Sequence, residues 1–316
     1  MVYGIFGRSL DEVLNSYGYS SPPRVSPRLR GWRHRERPMR PPVSGYLPVS
    51  AVASEFCPTA RDIYLRYVEG FEAPVSSPMV RGTLYHATLE AVVTQAKRLI
   101  YEGIVLGLEL SRALADCAEE AIEELLEEKQ GLIEEARMEE DELERVRRNM
   151  FKLWNFEADQ IASAVASILF RSPHMGIDSL VAHAIPLTME HRIDGSRVGL
   201  SKQLSIDAFQ AIHTMVMEMK TGKEQAYHRL TLAGYALALE TAFRRRVDFG
   251  MLAYVRFPED RPSPLVVRRV RQIDDELRLQ FLRARDRKLA IVFRQRDPGR
   301  PERCPSTCSY FRICRG

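Results

Sequence analysis

Asp207, in the stretch LSIDAF, and the pair Glu218 and Lys220, in VMEMKTG, have the types and spacing for metal-assisted hydrolysis. If residues 211–219 form a strand, its period of two puts Glu218 and Lys220 on one face and turns Met219 to the other. Asp207, ending the preceding strand, can meet them across the sheet. Two carboxylates hold a hard cation such as Mg²⁺ or Mn²⁺, and a neighbouring ammonium can steer an attacking water or offset charge growing on a phosphate. Taken alone, E-x-K at strand spacing is more often ordinary surface ion pairing. His86, in RGTLYHATLE on a helix well upstream, offers an imidazole that could complete the carboxylate site. A single helical histidine is otherwise a core or surface residue.

A second set of residues is made of sulfur. Cys304, Cys308 and Cys314 crowd the C-terminal stretch CPSTCSYFRIC, and Cys57 stands near the other end of the chain in SEFCPTARDIY. Thiolates so closely spaced favour zinc or an iron–sulfur cluster, and either needs a fourth ligand. Spacing does not choose between the two metals. Cys57 and Cys117 are the candidates for the fourth place, and Cys117, inside the helical run LADCAEEAIEELL, suits a buried structural thiol. Five cysteines are an odd number for a disulfide framework.

The elements that must position these groups follow from periodicity and punctuation. Residues 1–48 form a Pro/Arg-rich lead-in, because Pro22, Pro23, Pro27, Pro38, Pro41, Pro42 and Pro48 interrupt any helix or central strand. Residues 49–78 carry the first cysteine and a helical stretch over 58–67. Residues 79–170 read as a helical lobe, with one long helix over 79–101 and two more over 108–170 broken near Gly131. Residues 171–295 change character. Strands are expected at 185–193, 197–209, 211–219, 249–257 and 265–271, a hairpin turn at Asp194-Gly195, and helices over 224–244 and 274–293. Residues 296–316 hold the terminal cysteines. The class is α/β, with α+β as the alternative.

With 316 residues, 45% of them hydrophobic and 28% charged, the chain can bury a substantial core. The N-terminus lacks the apolar core of a signal peptide, and no stretch nears the roughly 18 apolar residues of a membrane span, so a cytoplasmic protein without membrane contacts is expected. The net charge of +4 is unevenly spread. Residues 109–145 are acidic, whereas Arg24 to Arg40 and the last third, including Arg278, Arg283, Arg285, Arg287 and Lys288, are strongly basic. Such blocks suit phosphate contacts and point to a nucleic-acid partner. No P-loop G-x-x-x-x-G-K-[ST] is present, so any motor would be another chain.

In their fixed order, SEFCPTARDIYLR, VRGTLYH, the D and E-x-K residues of LSIDAF and MEMKTG, a tyrosine-bearing helix and CPSTCSYFRIC resemble the CRISPR-associated RecB-like exonucleases, the fourth Cas family, especially its longer archaeal variant found with type I-A systems. The likeness runs from about Val49 to Cys314. It implies a PD-(D/E)xK restriction-endonuclease-like core with a bound [4Fe-4S] cluster acting as a clasp between the chain ends. It places metal binding on His86, Asp207 and Glu218, catalysis on Asp207, Glu218 and Lys220, and cluster ligation on Cys57, Cys304, Cys308 and Cys314. It implies a metal-dependent exonuclease using Mg²⁺ or Mn²⁺ on single-stranded DNA ends, trimming fragments for the CRISPR integrase complex. A DNA-binding assembly factor and a repair-nuclease subunit are the alternatives, and self-association is left open. Two positions depart from the usual pattern. Thr231 stands four residues before Tyr235 where many relatives carry glutamine, and three residues rather than two separate Cys304 from Cys308.

Overall fold

The computed structural model describes residues 4–6, 21–210, 214–304 and 308–315. Residues 1–3 and 7–20 of the expected lead-in, 211–213 of the expected third strand and 305–307 of the cysteine segment lie outside that set. The helices are α1 Val49–Ala53, α2 Arg61–Tyr67, α3 Ser77–Tyr101, α4 Gly107–Asp116, α5 Ala118–Glu128, α6 Gln130–Glu135, α7 Glu140–Arg171, α8 Ile177–Ala184, α9 His228–Phe243, α10 Asp275–Arg294 and α11 Phe311–Arg315. The strands are β1 Thr188–Ile193, β2 Leu204–Gln210, β3 Met215–Lys220, β4 Phe249–Arg256 and β5 Leu265–Gln272, lying side by side in sequence order. All neighbours are antiparallel except β3 and β4. A parallel pair needs a crossover, and α9 supplies it.

Each face of the sheet carries its own core, and strand alternation sorts residues between them. Met215, Met217 and Met219 of β3, with Met251 and Ala253 of β4, pack on the helical lobe of α3 to α8. Val216, Leu252 and Tyr254 face the other way, onto α9 and α10. The lobe is anchored by Trp154 of α7, which is fully buried and donates its indole N–H to Leu114 O at 2.7 Å. In α9 the whole run from Leu230 to Thr241 is buried, as suits a helix enclosed on all sides.

The proline-rich lead-in is draped over α9 and α10 in short 3-10 turns, at Pro27–Leu29 and Gly31–Arg33. A Cβ at Gly31 would come within 2.1 Å of Leu237 O, so only glycine permits this approach to α9. Arg30, next to it, reaches Glu240 Oε1 at 2.7 Å and Asp248 Oδ1 at 2.6 Å. Glu240 also accepts two bonds from Arg278, at 2.9 and 3.0 Å, and all three side chains are almost fully buried. This ion network joins lead-in, crossover helix and last long helix.

Several expectations are corrected. Residues 108–170 form four helices, not two, and Gly131 lies inside α6 rather than at a break. The breaks fall at Cys117, Lys129 and 136–139, where Arg137 takes a positive φ of 50°. These short turns let Leu110, Leu114, Ile122 and Ile133 all reach the lobe core. The expected strand over 197–209 begins only at Leu204, since Ser196–Val198 is a 3-10 turn. The helix expected over 224–244 begins at His228, and α8 arises where no element was expected.

The basic last helix is also different in kind from a phosphate-tracking surface. Arg278, Arg285 and Lys288 are buried. Arg285 donates to Met39 O at 2.7 Å and Pro38 O at 2.8 Å, tying down the lead-in. Arg283 and Arg287 remain exposed. Among the described residues no helix is long and apolar enough to cross a membrane.

Candidate active site

Asp207 lies at the middle of β2, and the pairing on either side of it fixes what it faces. The β1 register of Met189 with Ala208 and His191 with Ile206 sets Glu190 opposite Asp207. Continuing the β3 register of Ala208 with Met217 by one residue sets Glu218 opposite it on the other side. Three carboxylates on adjacent strands thus form one row. Asp207 Oδ2 accepts the Met219 N–H at 2.8 Å, and His86 Nδ1 of α3 stands 3.4 Å from the same oxygen. The ligating atoms of His86, Glu190 and Asp207 all lie within 4.8 Å of one another. Burial pushes the Asp207 carboxyl up to about 6, with His86 opposing and Glu218 adding to the rise. An imidazole and oxygens so gathered are a donor set for a divalent cation.

Glu218 and Lys220 do share a face, as strand periodicity requires, and are hydrogen-bonded to each other. Glu218 is buried, and its second oxygen accepts the Thr231 hydroxyl. Glu218 is therefore held by Lys220 and Thr231, whereas the close ligating triad uses Glu190. Burial draws the Lys220 ammonium down, but Glu218 and Asp207 outweigh it, and the net shift is upward. Lys220 stays charged at neutral pH. Tyr227, His228 and Tyr254 surround it, with His228 Nδ1 and the Tyr254 hydroxyl 3.1 Å apart. Tyr235, one turn beyond Thr231, has its phenol pushed up by burial and then by Glu218, Asp207 and Glu190.

Two of these residues were not visible as site residues in the sequence. Glu190 sits in a half-buried alternating strand, where an acidic residue reads as solvent-facing. Its one signal is structural, a positive φ of 44° that interrupts regular pairing. Thr231 occupies the position noted for lacking glutamine, and its hydroxyl is bonded to Glu218.

Beside Lys220, at Thr221, opens a groove of about 620 Å³ between α3, α7 and the end of β4. Arg81, Arg145, Arg148, Lys152 and Arg256 line it, over the Tyr85 and Phe257 rings 4.6 Å apart. Arg81 is paired with Glu142 at 2.7 Å, and against the one further lining carboxylate, Glu259, the remaining cations leave the groove predominantly positive.

The sulfur residues lie near the C-terminal end of α10. Burial is the main cause that raises the Cys308 thiol to about 11, and Cys304 and Cys57 contribute as near neighbours. Arg61 Nη1 donates to Cys314 Sγ at 3.2 Å and is itself paired with Asp297 at 2.9 Å. Lys288 donates to Ala51 O at 2.8 Å and Val52 O at 3.0 Å, holding the chain just before Cys57. Cys117 stands apart at the α4–α5 junction, half-buried against the lobe core rather than within it, with Gln95 Nε2 3.6 Å from its sulfur. Its expected place inside one helix is thus corrected to a helix junction. Four thiols with a guanidinium beside them and buried walls fit the chemistry of a metal–thiolate centre.

Residues 7–316 match the family model described as CRISPR-associated exonuclease Csa1. The chain belongs to the Csa1 family. It is 30% identical over 293 residues to the CRISPR-associated exonuclease Csa1 of Saccharolobus solfataricus, covering 93% of each chain. It is 28% identical over 297 residues to the protein of the same name from Thermoproteus tenax, again covering 93% of each. The Csa1 match spans every group described above, from the lead-in to Cys314.

Proposed function

We propose that this Csa1-family chain is a metal-dependent exonuclease that trims single-stranded DNA ends, on a core of PD-(D/E)xK type, and supplies fragments to the CRISPR integrase complex. The observation that carries the reading is the carboxylate row Glu190–Asp207–Glu218, closed by His86 on one side and Lys220 on the other. Three acids around one histidine and one lysine leave negative charge uncompensated, which a cation would balance. A Mg²⁺ or Mn²⁺ held by His86, Asp207 and Glu190 or Glu218 supplies positive charge that polarises a phosphate ester and acidifies water. Lys220, kept charged by Glu218, offsets negative charge growing on the phosphate. Thr231 fixes Glu218, so the lysine is aimed rather than free. The cationic groove beside Thr221 has the charge to hold the strand next to the scissile bond.

Cys57, Cys304, Cys308 and Cys314 would hold a [4Fe-4S] cluster that closes the chain ends, with Arg61 and Lys288 positioning two of the ligand segments. The cluster has a structural role in this reading and takes no part in cutting.

The test compares wild type with Lys220→Ala on end-labelled single-stranded and duplex DNA. Lys220→Ala is expected to lose at least the roughly 10²- to 10³-fold in rate that removal of one charge-stabilising donor costs, with Mn²⁺ affinity unchanged. Glu190→Gln and Asp207→Asn are expected to weaken Mn²⁺ binding as well as cutting. Wild-type rates in Lys220→Ala, or cutting that survives EDTA, would overturn the assignment. Iron analysis of anaerobically purified Cys57→Ala and Cys117→Ala separates the cluster ligands. Iron falls in the first and stays in the second, and equal loss in both would reject Cys57.

A further inference from the structure

The arginines of the lead-in that do not face inward meet cations from two distant segments. Trp32, Arg35, Arg197 and Arg244 line a hollow of about 780 Å³. Arg35, Arg37, Arg40, Tyr46 and Phe293 line a second, of about 690 Å³. Arg35 lines both, so the two hollows adjoin at that side chain and together make up one furrowed stretch of surface. Among the described residues lining it, Glu36 is the one carboxylate, and it is committed to Arg33 at 2.9 Å. Arg35, Arg40 and Arg244 have no ion-pair partner among the described residues, and Arg197 acts, with Lys202, on Asp194 without a close ion pair. Their convergence registers on His34, whose imidazole is pushed down first by burial and then by Arg197, Arg35 and Arg244.

Exposed rings border the same furrow. Tyr46 is 54% exposed and Phe293 60%. The Lys202 ammonium sits over the Tyr46 ring, 5.5 Å from its centre. Unpaired cations concentrate a polyanion, and open aromatic faces offer platforms for unstacked bases, which a duplex does not present. The scaffold beneath is rigid. Arg30 is locked to Glu240 and Asp248, and Arg285 holds the carbonyls of Pro38 and Met39, so the outward arginines project from a fixed backbone.

We propose that the lead-in, with Arg197, Lys202 and Arg244, forms a second nucleic-acid-binding surface that takes a single strand of DNA outside the catalytic groove. The two places are the two ends of α9. Thr231 marks the catalytic end and Arg244 the other, separated by about 20 Å of helix at 1.5 Å per residue. The furrow therefore holds a part of the strand well removed from the bond being cut. Acidic protein surfaces share the charge of DNA but lack its stacking bases, and the aromatic border favours the strand.

The experiment uses the full chain in EDTA, where nothing is cut, and a labelled thymidine oligomer of about 30 nucleotides, longer than a single binding module covers. The triple variant R35E/R40E/R244E is expected to bind it at least tenfold more weakly, with a salt dependence shallower by about two to three phosphate contacts. R35A/R40A/R244A gives the same direction and replaces the first variant if melting curves show that charge reversal impairs folding. Tyr46→Ala is expected to weaken binding of the oligomer and leave a duplex of equal length unaffected. Cleavage of the shortest accepted substrate stays at wild-type rate in all three. Wild-type affinity and salt slope in both triple variants would overturn the proposal. Equal losses for duplex and single strand, or polyglutamate competing as well as the oligomer, would overturn the choice of occupant. The inference does not rest on the nuclease reading: a wild-type protein that binds through this furrow and cuts nothing would reject that reading alone.

Discussion

Two clusters of buried charge stand at opposite ends of the crossover helix α9, and their arithmetic differs. At the far end, Glu240 and Asp248 face Arg30 and Arg278, two acids against two guanidiniums, with Gly31 and Val247 N–H groups filling the remaining acceptor positions at 2.8 and 3.1 Å. Nothing is left over. At the near end, Glu190, Asp207 and Glu218 face one lysine and one histidine, and Asp207 is held far enough from its ordinary state to keep its proton up to about pH 6. A satisfied network holds elements in register, whereas an unsatisfied one is a place prepared for something else.

The contrast is sharpest under mutation. Glu240→Gln leaves two buried guanidiniums short of a counter-charge, and chemical denaturation should show a loss of about 3–5 kcal/mol. Asp207→Asn relieves a surplus of negative charge, so in EDTA at pH 7 it should gain about 1–3 kcal/mol while abolishing cutting. A destabilising Asp207→Asn would erase the distinction between the clusters.

The pH response follows from the same residue. The folded state keeps a proton on Asp207 up to about 6, while the unfolded chain gives it up near 3.8. Between those values the folded state binds more protons, so the Asp207 contribution to stability falls as pH rises through the window and is flat above it. Metal-free melting curves of wild type minus Asp207→Asn should trace this fall. A difference rising with pH would mean that His86 and Lys220 outweigh burial.

The smallest effect expected is at Thr231. Thr231→Val keeps the shape and removes the hydroxyl bonded to Glu218, a loss of about 1–3 kcal/mol for a buried acceptor left unpaired. Cleavage should drop about tenfold, and Thr231→Ser should restore most of it. No change in Thr231→Val would assign the aiming of Lys220 to other neighbours.

Much of this was legible in the sequence because it depends on local period. The E-x-K pair shares a face because strands alternate, and the α/β class, the helical lobe and the sheet were readable from hydrophobic spacing. Glu190 was not, since its partnership with Asp207 arises from a register between strands that nothing local encodes. The interior roles of Arg278, Arg285 and Lys288 were hidden for a related reason. Their partners are backbone carbonyls and an acid on distant segments, so a helix full of basic residues looks like a solvated one. The turns at Lys129 and 136–139 escaped notice because no proline marks them. The prolines of the lead-in announce an irregular segment, and only the structure shows that α9 and α10 lie beneath Pro27–Arg33.

Glu240 draws one partner, Arg30, from near the start of the chain and another, Arg278, from near its end. During synthesis Arg30 emerges well before Glu240 and Asp248, its partners some 210 residues later, and stays solvated until they appear. The lobe of α3 to α7, built from contacts between neighbours, can assemble long before that. Closure of this network is thus a late event that waits for Arg278, and until then the lead-in lacks the partners that fix it on α9.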